Sequence, residues 1–101
     1  MDTSAIVEVS IDAQGRLLVT PESANFPFVY RAAMEVGWDD ALGCLYTPPP
    51  REWSYERWFQ QILAAVRGEY GCALALTART RWCNVSAEVQ QAISSAYGAE
   101  A

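Results

Sequence analysis

Residues 53–71, WSYERWFQQILAAVRGEYG, predict a helix that anchors the core, because their polar and apolar residues recur with the period of a helix. Ser54 is a good N-cap, Gly71 can end the helix in a left-handed conformation, and the spacing predicts an amphipathic helix over residues 55–69. The residues expected on its apolar face are Tyr55, Trp58, Phe59, Ile62, Leu63, Val66 and Tyr70.

A β-hairpin is predicted at the start of the chain. Residues 4–11 alternate between apolar and polar side chains, which is typical of a strand with one buried face. Residues 12–15, DAQG, supply turn residues, and residues 16–20 form a second apolar run that Pro21 should end. The residues of the first strand expected to face the core are Ala5, Val7, Val9 and Ile11.

The segment between residues 26 and 39 places apolar side chains at consecutive even positions. These are Phe26, Phe28, Tyr30, Ala32, Met34, Val36 and Trp38. A strand puts all of them on one face, so the pattern predicts a long strand over residues 28–38 with the even residues inward. Residues 31–35 alone have helical propensity. A loop over residues 39–43 then leads to a fourth strand at 44–47.

Downstream of the helix, the alternation of Cys72, Leu74 and Leu76 with smaller residues predicts a fifth strand. A loop should follow, and Ser86 is a plausible N-cap for a short helix ending near Gly98. The residues expected on the inner face of that helix are Val89, Ala92, Ile93, Ala96 and Tyr97. The order β-β-β-β-α-β-α predicts a single α+β domain over residues 1–101. A mostly antiparallel sheet of about five strands should have one face covered by two helices.

Charge and composition restrict the classes of partner. The chain has 101 residues with 12 acidic and 7 basic side chains, a net charge of −5. The scattered arginines provide no cationic surface for nucleic acid or an anionic membrane, whereas the acidic balance favours a basic protein or a cationic small molecule. We expect a cytoplasmic protein, because no apolar run is long enough to cross a bilayer and no basic region precedes one at the N-terminus.

The sequence gives little support for a catalytic site or a metal-binding site. The absence of histidine removes the commonest general base and metal ligand, and three cysteines without C-x-x-C spacing indicate neither a zinc site nor a disulfide framework. Alternatives remain in an acid/base site formed by Asp39, Asp40 and Glu35, or an activated thiolate at Cys83, which lies near two arginines. We expect a non-enzymatic protein without cofactor or metal.

Aromatic residues are dense just before and within the predicted helix. Five of the chain's twelve aromatic residues fall within positions 46–59. They could line a pocket for a cationic or aromatic ligand, since ring faces and nearby carboxylates attract cations. The other interpretation is the core face of the helix, with Trp53 and Trp58 forming a hydrophobic staple. The residues of the predicted ligand site are Tyr46, Trp53, Tyr55, Glu52 and Glu56.

The odd positions of the predicted long strand favour self-association. Val29 and Ala33 are apolar, and Arg31 and Glu35 would surround them with charge, as at the centre of a protein interface. In a two-fold dimer, Arg31 of one chain could pair with Glu35 of the other. The alternative is that the second helix covers this face within one chain. The leading interpretation of the sequence is therefore a protein-interaction module that forms a homodimer.

The runs AMEVGWD (residues 33–39) and LYTPPPREWSY (residues 45–55) resemble small orphan proteins encoded by mobile integron gene cassettes. The resemblance rests on the general pattern of aromatic residues and prolines in these two runs. It implies a compact cytosolic bacterial domain of unassigned function, often dimeric, and it assigns no site residues.

Overall fold

The computed structural model describes residues 2–22, 25–49 and 53–97. It contains six strands, two α-helices and a short 3₁₀ helix. In chain order these are β1 (Asp2–Ile11), β2 (Leu17–Pro21), the 3₁₀ helix (Val29–Arg31), β3 (Gly37–Asp39), β4 (Cys44–Tyr46), α1 (Tyr55–Tyr70), β5 (Cys72–Ala75), β6 (Arg81–Cys83) and α2 (Ala87–Tyr97). The predicted α+β class with a mostly antiparallel sheet is confirmed.

The strands form one mixed sheet in the order β3-β4-β2-β1-β5. Neighbours from β3 to β1 are antiparallel. On its other side, β1 pairs in parallel with β5 through residues 2–5 and with β6 through residues 8–10. The sequence predicted a loop where β6 lies. A three-residue strand is too short to show an alternating pattern, so only its pairing with β1 defines it.

A β-bulge changes the inward side of β1. The register with β2 shifts between Ile6, opposite Pro21, and Glu8, opposite Thr20. Ile6 and Val9 are therefore both in the core, at 1% and 0% exposure. The prediction that Ala5 and Val7 face inward is wrong, because the extra residue of the bulge reverses the parity of the strand.

Helix α1 confirms its predicted signals. The Ser54 hydroxyl accepts a hydrogen bond from a first-turn amide at 3.2 Å, and Gly71 caps the other end at φ +64°. The rings of Trp53 and Trp58 lie 4.8 Å apart, as a hydrophobic staple requires. The helix extends one residue beyond the prediction, to Tyr70. Its buried residues are Trp58, Phe59, Ile62, Ala65 and Val66.

The predicted long strand over residues 28–38 is wrong. Residues 29–31 form a 3₁₀ helix with turns on either side, and only residues 37–39 are a strand. Met34, predicted to face inward, is 89% exposed. The buried residues of the segment are Phe26, Val29, Ala33 and Val36. Their spacing of three, four and three is that of helical turns, and Pro27 cannot donate to a sheet ladder.

Helix α2 adds to the same core through Ile93, which is fully buried, and Tyr97, whose ring centre lies 5.5 Å from that of Phe59. Ser86 is its N-cap as predicted, since its hydroxyl accepts a hydrogen bond from the Val89 amide at 3.2 Å. Ala96, predicted to face inward, is exposed, and Gly98 lies outside the described residues. Neither helix of the described chain combines the length and apolar character needed to cross a membrane.

Candidate functional site

The segment predicted as a long strand exposes a cluster of large apolar side chains. Among the described residues, four large hydrophobic side chains are exposed, and Phe28, Tyr30 and Met34 come from this one segment. Their exposed fractions are 46%, 49% and 89%. The rings of Phe28 and Tyr30 lie 6.4 Å apart. We call these three residues the loop patch. The fourth exposed residue, Leu42, lies in the β3–β4 turn.

Contacts with α1 and the core hold the loop patch in place. The amide of Phe28 donates a hydrogen bond of 2.8 Å to the Tyr70 hydroxyl. The ring of Phe26 packs edge-on against Tyr70 at 5.0 Å. Val29 and Ala33 are buried, so they anchor the segment while the residues between them face solvent. The patch therefore belongs to a fixed part of the fold.

Opposite charges adjoin the loop patch. The Arg31 guanidinium lies 4.7 Å from the centre of the Phe28 ring and 3.9 Å from the Glu69 carboxylate. Arg31 remains more than half exposed, and such surface ion pairs contribute only about 0–1 kcal/mol. Glu35, next to Met34 in the chain, is also exposed. A partner that covers the patch would meet a cation and a carboxylate.

The structure separates the four residues of the predicted interface. Arg31 and Glu35 face solvent, but Val29 and Ala33 are 0% and 8% exposed. The predicted solvent-facing arrangement of Val29 and Ala33 is wrong, because the segment turns and both residues pack inside their own chain. Sequence analysis thus assigned the apolar residues of the loop patch to the core. The helical spacing of the buried residues and the proline at position 27 were the signals that could have corrected it.

The predicted ligand site is divided among separate contacts. Trp53 packs on Trp58, and the Arg57 guanidinium lies 4.7 Å from the Trp53 ring centre. Trp58 is buried, and its indole N–H has no acceptor among the described residues. Glu56 is half-buried in the first turn of α1, and Glu52 lies outside the described residues. The tryptophan rings contact each other and an arginine of the same chain.

The two tyrosines of that predicted site serve different structural contacts. The Tyr55 hydroxyl donates a hydrogen bond of 2.9 Å to the Gly15 carbonyl, which ties α1 to the β1–β2 turn. Tyr46 lies on β4 opposite Gly37, with the Arg16 guanidinium 5.2 Å from its ring centre. A Cβ at position 37 would come within 3.0 Å of the Tyr46 ring, so glycine is needed there for the ring to lie over β3.

The carboxylate and thiol groups that were candidates for chemistry are each placed by the local structure. The Asp39 carboxylate accepts hydrogen bonds of 3.0 Å from the amides of Ala41 and Leu42, which shapes the β3–β4 turn. Burial, followed by the charge of Asp39, raises the pKa of the Cys44 thiol to about 11, so Cys44 stays protonated near neutral pH. Cys83 is the exposed cysteine, at the end of β6.

A charged pair fixes the β1–β2 turn. The Arg16 Nε lies 2.7 Å from the Asp12 carboxylate, which also accepts hydrogen bonds from the backbone amides of Arg16 and Gln14. Burial alone raises the pKa of Asp12, but these hydrogen bonds outweigh it and hold the pKa below its ordinary value. The hydrogen bond to Asp12 raises the pKa of Arg16.

Comparison with known proteins identifies the family. The family model described as integron cassette protein Hfx_Cass5 matches residues 2–80. A solved structure, the integron cassette protein Hfx_Cass5 from the mobile metagenome of the North West Arm sewage outfall, is 44% identical to this chain. The match covers 95% of this chain and 96% of that one, with a TM-score of 0.49. No curated protein matches the chain. The expected relation to integron cassette proteins is confirmed, and the chain belongs to the Hfx_Cass5 family, whose function is unassigned.

Proposed function

We propose that this integron cassette protein is a protein-interaction module, and that it self-associates through the loop patch. The observation that carries the proposal is the exposure of Phe28, Tyr30 and Met34 on one short segment with buried anchors. Large apolar residues exposed close together in sequence and accompanied by charged residues are typical of protein contact sites. Aromatic residues, methionine and arginine are enriched in such interfaces.

Burial of the patch by a partner would contribute favourable hydrophobic free energy to a contact. Fully burying an exposed methionine or phenylalanine side chain stabilises a complex by about 1.5–3 kcal/mol. Most of Met34 and about half of Phe28 and of Tyr30 are exposed, so a partner could still bury this surface. Because the segment is already anchored through Val29 and Ala33, ordering it on binding costs little conformational entropy.

A second copy of the chain is the occupant that the charges favour. Arg31 and Glu35 lie four residues apart on the same segment and carry opposite charges. A two-fold axis through the patch would place Arg31 of one chain near Glu35 of its partner twice. The net charge of −5 opposes association weakly at physiological salt, where charges beyond about 8 Å are screened. The net charge itself favours a basic protein, which is the other candidate partner.

A module for cationic or aromatic ligands is the alternative function. It would use the aromatic residues between positions 46 and 59. Their rings are occupied by Trp53–Trp58 stacking, by arginines of the same chain and by the Tyr55–Gly15 hydrogen bond. The exposed loop patch therefore gives the interaction module more support.

Sedimentation equilibrium at micromolar concentrations tests the proposal. The wild-type chain should show a monomer–dimer equilibrium, and Met34→Ser and Phe28→Ser should shift it to monomer. Leu42→Ser is the matched control, because Leu42 is an exposed apolar residue outside the patch and its replacement should leave the dimer intact. Glu35→Arg should weaken the dimer as well. A wild-type monomer, or equal weakening by Leu42→Ser, would reject self-association through this surface.

A further inference from the structure

A pocket of about 530 Å³ lies beside the bulge of β1, and none of the loop patch residues lines it. Its volume is within the range of small-molecule sites. Three strand residues and the residue after β2 line it together with the β5–β6 turn. The lining residues are Ala5, Ile6, Val7, Glu22, Thr77, Ala78 and Arg79.

The pocket exists because β1 changes parallel partner at this point. Pairing with β5 ends at Ala5, and pairing with β6 begins at Glu8. Ile6 and Val7 therefore have no register partner in β5 or β6, and the bulge also leaves Val7 without one in β2. Residues 77–79 of the β5–β6 turn line the pocket at this gap, together with residues 5–7 of β1.

Hydrogen bonds fix the wall that the turn provides. The buried Thr80 hydroxyl donates to the Ile6 carbonyl at 2.6 Å and accepts from the Thr77 amide at 2.9 Å. The Thr77 hydroxyl accepts from the Arg79 amide at 3.1 Å. These bonds connect the turn directly to the bulged strand, so the pocket is preorganised for binding.

One acidic and one basic residue, Glu22 and Arg79, are among the residues that line the pocket. Glu22 and Arg79 are both exposed, and neither forms an ion pair within the described ranges 2–22, 25–49 and 53–97. The arginines in described ion pairs are Arg16, Arg31 and Arg81. Apolar residues, Val7 and Ala78 among them, make up the rest of the lining apart from Thr77.

From this arrangement we infer that the pocket binds a small zwitterionic amino acid with an aliphatic side chain. Arg79 would receive its carboxylate and Glu22 its ammonium group through charge-assisted hydrogen bonds. The side chain would pack against Val7 and Ala78. A ligand with one charge would leave the other rim group without a partner, so both charges are required for full affinity. This inference is independent of the loop patch.

Titration of the ¹⁵N-labelled chain with L-valine, followed by NMR, tests the inference. L-Valine should cause saturable shifts of the Val7 and Ala78 amides. The methyl ester of valine, which lacks the carboxylate, and N-acetylvaline, which lacks the ammonium group, should each bind about tenfold more weakly. Absence of saturable shifts, or equal binding of all three compounds, would overturn the inference.

Charge-neutral variants locate the binding groups. Arg79→Gln and Glu22→Gln should each weaken L-valine binding by about tenfold, since each removes one charge-assisted contact. Arg67→Gln and Glu88→Gln make the same charge changes at exposed positions of the two helices and should leave binding unchanged. All four positions are exposed, so the variants should unfold at the wild-type urea midpoint. Equal weakening by the helix variants would overturn the site.

Discussion

Replacing Val29 and Met34 by alanine, one at a time, tests how residues 26–38 are placed. Val29 is 0% exposed, and its replacement removes two methyl groups worth about 0.8 kcal/mol each on transfer from water. The cavity left in the core raises the expected loss to about 2–3 kcal/mol. Met34 is 89% exposed, so its replacement should change the free energy of unfolding by less than about 0.5 kcal/mol.

Urea unfolding followed by tryptophan fluorescence measures both effects, because the chain has four tryptophans. With a slope of about 2 kcal/mol per molar urea, Val29→Ala should lower the midpoint by about 1 M or more. Met34→Ala should leave it within experimental error. The measurement is made at low protein concentration, where self-association contributes least. A larger loss of unfolding free energy for Met34→Ala than for Val29→Ala would support the extended strand and refute the 3₁₀ arrangement.

Three further predictions follow from buried and charged groups. Phe59→Ala should lower the free energy of unfolding by about 3–5 kcal/mol, whereas the exposed neighbour Gln60→Ala should be nearly silent in the same urea assay. A thiol reagent at about pH 8 should modify Cys83 rapidly and leave Cys44 unmodified, so Cys83→Ser should abolish the fast phase. Because the folded-state pKa of Asp12 is lowered, its contribution is complete above the unfolded pKa of about 3.9 and is lost as the pH falls through the folded value. Asp12→Asn should therefore lower the free energy of unfolding at neutral pH and make that free energy depend less on pH in the acidic range. If the free energy of unfolding of the variant fell on acidification as steeply as that of the wild type, this role of Asp12 would be contradicted.

The two proposed surfaces differ in what creates them. The loop patch exists because residues 26–36 are anchored in the core through Phe26, Val29, Ala33 and Val36, which leaves the residues beside these anchors exposed. The pocket exists because two segments pair with successive parts of one strand and leave a gap. Variants at one surface should therefore leave binding at the other unchanged, which the Met34→Ser and Arg79→Gln chains can show directly.

Local signals in the sequence determined the helices, their caps and the first hairpin. Ser54 and Gly71 act through their own backbone neighbours, so their roles are visible without tertiary structure. The apolar face of α1 follows from helical geometry in the same way. These elements, with the apolar alternation at Cys72 and Leu74, were enough to predict the α+β class.

The side of each strand that faces the core, the parallel strand β6 and the two proposed surfaces depend on contacts between distant parts of the chain. Val7 is displaced by a bulge whose register depends on β2, and Arg81 is in a strand only because β1 offers a partner. The period-2 pattern from residue 26 to residue 38 predicted one buried face. The anchoring of Val29 and Phe26 against α1, far away in sequence, instead turned Met34 toward solvent. Long-range packing outweighed the local alternation. Burying Phe26 and Val29 against α1 removes more apolar surface from water than the same segment would bury as a short isolated strand.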